Sequence, residues 1–255
     1  MKSDELPSPA SGGAEFGEQR GSASNFVEVI NELVTANRIL FRQGVVDAYG
    51  HVSTRHPQIP EVFLIASGKA PALVSADHIV ELDFDGREIR GTPQSLYLER
   101  FIHAEIYRAR PDVGAVVHSH SPSVLPFSVV PTAQLRPICH MSGFLHSGAP
   151  VFEIREAAGD GSDLLISTPQ LGRALAATLG PRSVVLMRGH GSTVVGATLR
   201  EAVFQAIYTE INARLQREAA ALGTPVFLTA QEAAACVATI SASIDRAWNL
   251  WIDLI

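Results

Sequence analysis

Three histidines stand at positions from which a folded chain can bring them together. Val116-Val117-His118-Ser119-His120-Ser121 is an apolar run that ends in two histidines one residue apart. Side chains alternate faces along a strand, so His118 and His120 share a side, roughly 7 Å apart along the backbone, with Ser119 opposite. His190 lies between Gly189 and Gly191, just after the apolar run Ser183–Met187, and reads as a residue on a tight turn at a strand end. Three imidazoles from two strand ends can hold a divalent cation and leave positions open for a substrate. A His-x-His pair also occurs as a plain hydrogen-bonded strand end, and spacing alone leaves both readings open.

Other groups could complete such a site. Glu99 and His103 fall four apart in a stretch with helical periodicity, Leu96–Ala109, which leads into the histidine strand. A carboxylate there can enter the pocket as an acid–base group, or it can be one half of a surface pair. Ser67-Gly68-Lys69 follows a short apolar strand, Glu61–Ala66, and offers backbone N–H groups and an ammonium to an anion; a plain turn explains it equally. His140 and His146 fall in the loop-rich stretch Pro122–Pro150 and read as hydrogen-bonded loop residues.

The elements that must carry these groups follow from pattern. Ser24 or Asn25 caps an amphipathic helix that ends at Gly44. Val52–Thr54 starts a strand after the Tyr49-Gly50 turn, and Asp85-Gly86 marks a hairpin between Ile79–Asp83 and Arg87–Arg90. Val151–Ile154 and Ser192–Gly196 read as strands, and Pro169 to Gly180 as a helix. Thr198 with Glu201, and Thr229 with Glu232, form capping boxes. The first starts a helix running to about Gly223. The second starts a C-terminal helix holding Trp248 and Trp251, which dock into core or a subunit contact. Residues 1–23 read as a mobile leader and residues 24–255 as one domain.

Composition narrows the classes. The chain has 255 residues, 46% hydrophobic and 18% charged, as a globular domain has. Its net charge of −6 argues against a protein built to bind nucleic acid, and no apolar run approaches the ~20 residues of a membrane helix. There is no secretion signal pattern, and Cys139 and Cys236 lack metal-type spacing, so a reducing, cytoplasmic setting is expected with both cysteines as small core residues.

Taken in order, Gly50-His51-Val52-Ser53-Thr54-Arg55, the run Arg108 to Val113 leading to His118-Ser119-His120, and Gly189-His190-Gly191 resemble the class II aldolase/adducin family. The resemblance spans most of the chain, from about Val27 to Gly223. It implies an α/β/α sandwich around a central mixed, mostly antiparallel sheet, and a homotetramer with its active site at a subunit boundary. It implies His118, His120 and His190 as metal ligands and Glu99 as the catalytic carboxylate. Ser67 and Gly68 match the turn that holds the substrate's anionic end. Two departures matter. The sugar-phosphate aldolases carry a Ser-Ser pair before the glutamate, where this chain has Tyr97 and Leu98, and an Asn where it has His51. Both changes remove phosphate contacts. Tyr-Gly-His-Val-Ser, Ser-Gly-Lys-Ala-Pro and Leu-Met-Arg-Gly-His-Gly look instead like the decarboxylase branch. Members there act on hydroxylated aromatic or pyridine dicarboxylates, such as dihydroxyphthalate and hydroxy-methylpyridine dicarboxylate.

That resemblance implies a catabolic carboxy-lyase that uses a divalent metal, Mn2+ first, with Zn2+, Fe2+ or Co2+ as alternatives. Glu99 would manage the proton that replaces CO2. His51 would share that role or bind the leaving carboxylate, or it would merely shape its turn. Ser53 would support from behind, and Lys69 and Arg188 would neutralise the second carboxylate or remain surface charges. His103 would orient Glu99 or cap local backbone. An aldolase acting on a hydroxy-keto acid or unphosphorylated sugar, and a non-enzymatic adducin-like scaffold, are the alternatives.

Overall fold

The computed structural model describes residues 14–90 and 95–255, with side chains described from Asn25 onward. Among the described residues eight strands make one sheet: β1 (His51–Arg55), β2 (Val62–Ala66), β3 (Ile79–Asp83), β4 (Glu88–Arg90), β5 (Ala115–Ser119), β6 (Val151–Phe152), β7 (Val184–Met187) and β8 (Gly191–Gly196). Their order across the sheet is β4-β3-β2-β1-β5-β8-β7-β6, antiparallel throughout except for the parallel β6–β7 edge. This is the mixed, mostly antiparallel sheet expected from the family resemblance.

The helices are α1 (Ala14–Arg42), α2 (Arg100–Ala109), α3 (Leu125–Val129), α4 (Arg155–Ala158), α5 (Pro169–Leu179), α6 (Leu199–Leu222), α7 (Ala230–Ser241) and α8 (Ile244–Ile252). Strand alternation sorts the core into two layers. Val52, Ala115, Val117, Val184 and Val194 pack on one face with Leu33 and Ile39 of α1, Val203 and Ile207 of α6, and Trp248 and Trp251 of α8. Val116, Val185 and Val195 face the other way, with Ile102 and Ile106 of α2 and Leu175 and Leu179 of α5. Both faces of β5 are therefore covered, which is why its sequence reads as an unbroken apolar run.

Four boundaries differ from the sequence-based expectation. Helix α1 begins at Ala14, ten residues before Ser24, so residues 14–23 continue the first helix; residues 1–13 lie outside the described chain. Helix α2 begins at Arg100, leaving Glu99 at its N-cap rather than inside a helix from Leu96. The C-terminal helix is two, broken at Ala242-Ser243, and both tryptophans fall on the second. Beyond Phe152 the β6 strand gives way to the turn leading into α4.

Candidate metal centre and active site

The site is built where the C-terminal end of β5, the β7–β8 turn and the start of α2 meet. His118 lies on β5 and His120 just past it; their Nε2 atoms stand 3.2 Å apart, as strand alternation requires. Ser119 faces the other layer and meets Ser121, which bonds back to the Val45 carbonyl. His190 sits on the β7–β8 turn, its Nε2 3.0 Å from that of His120. The flanking glycines are steric necessities. Gly189 takes φ +67°, and a Cβ on Gly191 would lie 2.1 Å from the Ser119 carbonyl oxygen.

Glu99 completes the cluster from the N-cap of α2. Its Oε1 accepts the Ile166 backbone N–H at 2.9 Å, and its Oε2 stands 3.5 Å from Nε2 of both His118 and His190. One candidate ligand atom from each of the four residues falls within 4.8 Å of the others. Burial opposes the charge on Glu99, but its contact with His190, which is raised in return, favours it and the carboxyl is held below its usual range.

The donor set fits a divalent cation. His118 Nδ1 meets the Ser192 carbonyl at 3.1 Å and His190 Nδ1 meets the Leu164 carbonyl at 2.9 Å. A carbonyl only accepts, so both rings carry a proton on Nδ1 and aim Nε2 at the centre, where a bound cation would take the Nε2 lone pair of each. Burial pushes His118 down to about 3, keeping that imidazole neutral. With all three rings neutral, His120 Nε2 can offer a proton to only one of its two neighbours, so at least one N···N contact sets lone pair against lone pair. A cation relieves that conflict, and ligand nitrogens about 2.1 Å from one ion stand roughly 3 Å apart.

The remaining expected residues distribute unevenly. His51, on β1 directly opposite His118, is 4% exposed and lies 5.0 Å, ring to ring, from it. Ser53 shares its face, two residues on. His103 hydrogen-bonds His51 and Ser53 instead of orienting Glu99, which corrects the expectation of a Glu99–His103 pair. The cause is the α2 start, since Glu99 at the N-cap does not share a helical face with His103. Tyr97 lies 4.6 Å from the His51 ring, and its hydroxyl donates to the Lys69 carbonyl. The backbone N–H groups of Ser67, Gly68 and Lys69 donate to His78, Ser95 and Ser67 respectively. None is left for an anion, so this turn can contribute only the buried Ser67 hydroxyl and the exposed Lys69 ammonium. Arg188 pairs with Glu153, Nε to Oε2 2.6 Å, on a groove it shares with Arg155 and Arg182. His140 and His146 are exposed and outside the cluster, and Cys139 and Cys236 are free and part-buried.

Sequence reasoning passed over Tyr107, Leu164, Ile166 and Ser192. The last three act through backbone groups, which leave no residue-type signal. Leu164 adopts φ +69°, the left-handed region, where its carbonyl receives His190. Tyr107 did carry a signal: His103 and Tyr107 at helical spacing match His51 and Ser53 at strand spacing.

A family model described as the class II aldolase and adducin N-terminal domain matches residues 31–217. The chain is 36% identical over 246 residues to the decarboxylase tropJ of Talaromyces stipitatus, covering 88% of this chain and 92% of that protein. It is 30% identical over 210 residues to a 3,4-dihydroxyphthalate decarboxylase of Arthrobacter keyseri, covering 75% and 78%. Among solved structures, an L-fuculose 1-phosphate aldolase from Glaciozyma antarctica superposes with a TM-score of 0.75 at 21% identity, covering 98% of this chain and 93% of that one, a likeness of fold.

Proposed function

The chain belongs to the class II aldolase and adducin family, whose decarboxylases and aldolases are lyases, and we propose that it is a divalent-metal-dependent decarboxylase of a hydroxylated aromatic or pyridine dicarboxylate. The observation that carries this reading is the convergence of three imidazoles on a buried carboxylate whose Oε2 faces them. The near full-length likeness to a decarboxylase supports the reaction type, and the fully engaged N–H groups of the Ser67 turn speak against a phosphorylated substrate.

His118, His120 and His190 would hold the cation, Mn2+ in this reading. When bound it would supply Lewis acidity and a template for the substrate's oxygens. Glu99, pinned through Oε1 and ionised, takes the ring hydroxyl's proton on Oε2. As the bond to the carboxylate carbon breaks, its electron pair stays on the ring carbon and CO2 departs. Glu99 then delivers the proton to that carbon, and the hydroxyl is reprotonated from water as product leaves. His51 faces the carboxylate that leaves. Lys69 neutralises the other, with Ser67 and Gly68 shaping that end of the pocket, Ser53 supporting His51 from behind, and Arg188 reaching substrate only on leaving Glu153.

The same reading has the protein working as a cytoplasmic homotetramer. The partly exposed Val129, Val130 and Val151 along one groove are suited to a subunit contact, and the two unpaired cysteines suit a reducing compartment. Among the described residues no helix is long and apolar enough to cross a membrane. An aldolase acting on an unphosphorylated hydroxy-keto acid would use the same cluster, whereas a bare scaffold has no need of it.

The test is CO2 release from 3,4-dihydroxyphthalate and from hydroxy-methylpyridine dicarboxylate, using metal-stripped protein with Mn2+ or Zn2+ added back. Metal-restored release from either supports the proposal. No release from either, with metal bound one per chain, moves the reading to the aldolase.

A further inference from the structure

Behind His51 runs a line of four buried side chains whose hydrogen bonds have one self-consistent direction. His51 Nδ1 meets His103 Nε2 at 2.6 Å, His103 Nδ1 meets Ser53 Oγ at 2.6 Å, and Ser53 Oγ meets the Tyr107 hydroxyl at 2.7 Å. None of the four is more than 4% exposed, so no bulk water can complete the set. We infer that Tyr107, Ser53 and His103 are positioning residues that hold His51 as its Nε2–H tautomer, so that His51 offers the substrate a hydrogen-bond donor and is not a base. This deepens the decarboxylase reading, on which its catalytic consequence rests.

The direction is set at the far end. The Tyr107 hydroxyl must place its own proton, and among the described residues Ser53 Oγ is the hydrogen-bond partner it has. Ser53, accepting from Tyr107, directs its own hydrogen to His103 Nδ1. His103 therefore carries its proton on Nε2 and donates it to His51 Nδ1. The remaining His51 proton lies on Nε2, which makes no hydrogen bond among the described residues; the ring stands 5.0 Å from that of His118. Reversing the chain would leave the hydroxyl hydrogen of either Tyr107 or Ser53 without an acceptor in a dry interior, which disfavours that direction roughly tenfold or more.

The architecture explains how such a line can exist. His51 and Ser53 are two apart on β1 and share a face; His103 and Tyr107 are four apart on α2 and share another. The two rows interdigitate. Arg55, next on the same face of β1, donates Nη2 to the Tyr107 carbonyl at 2.7 Å and lies 4.8 Å over its ring, fixing the anchoring end. The result divides the labour: His51 stabilises negative charge on a substrate oxygen, and Glu99 alone moves the proton.

Nitrogen-15 NMR of histidine-labelled, Zn2+-loaded protein reads the tautomer directly, the His51 signals being assigned by their loss in His51→Gln. The expected result is the Nε2–H pattern for both His51 and His103. In Tyr107→Phe, His51 should become a tautomer mixture and kcat should fall about tenfold or more, with KM changing less than about twofold. His51→Gln, which retains a donor near Nε2, should keep measurably more activity than His51→Ala. A wild-type His51 in the Nδ1–H form overturns the inference without any variant having to fold. So does a Tyr107→Phe protein with unchanged tautomer and kcat, or His51→Gln as inactive as His51→Ala. Because the NMR reading needs no substrate, a protein with the expected tautomers but no CO2 release would sink the decarboxylase reading alone.

Discussion

Glu99→Gln tests the proposed acid–base role of Glu99 separately from the proposed metal site. The amide is nearly isosteric, and its oxygen can keep the Ile166 N–H bond that orients the side chain at 2.9 Å. What disappears is the charge and basicity at Oε2, 3.5 Å from the nitrogens of His118 and His190. Three imidazoles remain to hold the ion, so metal affinity should fall by no more than the 10- to 100-fold typical of groups beside a metal site. Turnover should suffer more. General acid–base catalysis contributes about 100- to 10,000-fold, and at about 1.4 kcal/mol per decade that raises the barrier by roughly 3–5 kcal/mol. The assay is single-turnover CO2 release at saturating metal, with metal content measured on the same sample. A variant that binds metal and turns over within about threefold of the parent would refute the assignment of Glu99 as the proton carrier. A variant that loses its metal outright would show Glu99 to be a ligand instead.

Other outcomes follow from the same geometry. His118→Ala should abolish metal binding and activity together, as read by metal analysis and CO2 release; retained metal would mean a different ligand set. Gly191→Ala should lower Tm sharply and loosen metal binding, because the new methyl would sit 2.1 Å from the Ser119 oxygen, while Gly161→Ala, which meets nothing within 4 Å, should change neither. The metal-free protein should lose stability as pH falls below about 6.5. His51, His103 and His118 are all held below the ordinary imidazole value by burial, so the unfolded chain binds protons there that the folded chain does not. Denaturation midpoints that stay flat between pH 7 and pH 5 would contradict it.

Much of this arrangement was legible before folding was considered. The His118-x-His120 alternation survives intact because a strand's period of two is a local property of extended backbone. The glycines around His190 announced a turn, and both capping residues, Thr198 and Thr229, accept the N–H three residues on. The family's order of motifs led to the right sheet, and Glu99 does lie beside the three histidines. What was not legible depended on contacts between distant segments. Glu99 meets the cluster from a helix N-cap rather than a helix face, because α2 starts at Arg100. The Ser67 turn looks able to hold an anion as a sequence, yet its N–H groups are taken by His78, Ser95 and Ser67.

The sequence by itself determined which side chains could do chemistry and which of them must share a strand face, since alternation, capping and glycine turns act within a few residues. Only the tertiary structure decided how those side chains are protonated and aimed. The Ser192 and Leu164 carbonyls take the Nδ1 protons of His118 and His190 and so aim both Nε2 atoms inward, and the Tyr107 hydroxyl sets the direction of the line behind His51. A tautomer is chosen by the partner across a hydrogen bond, and here those partners lie from 26 to 74 residues away along the chain.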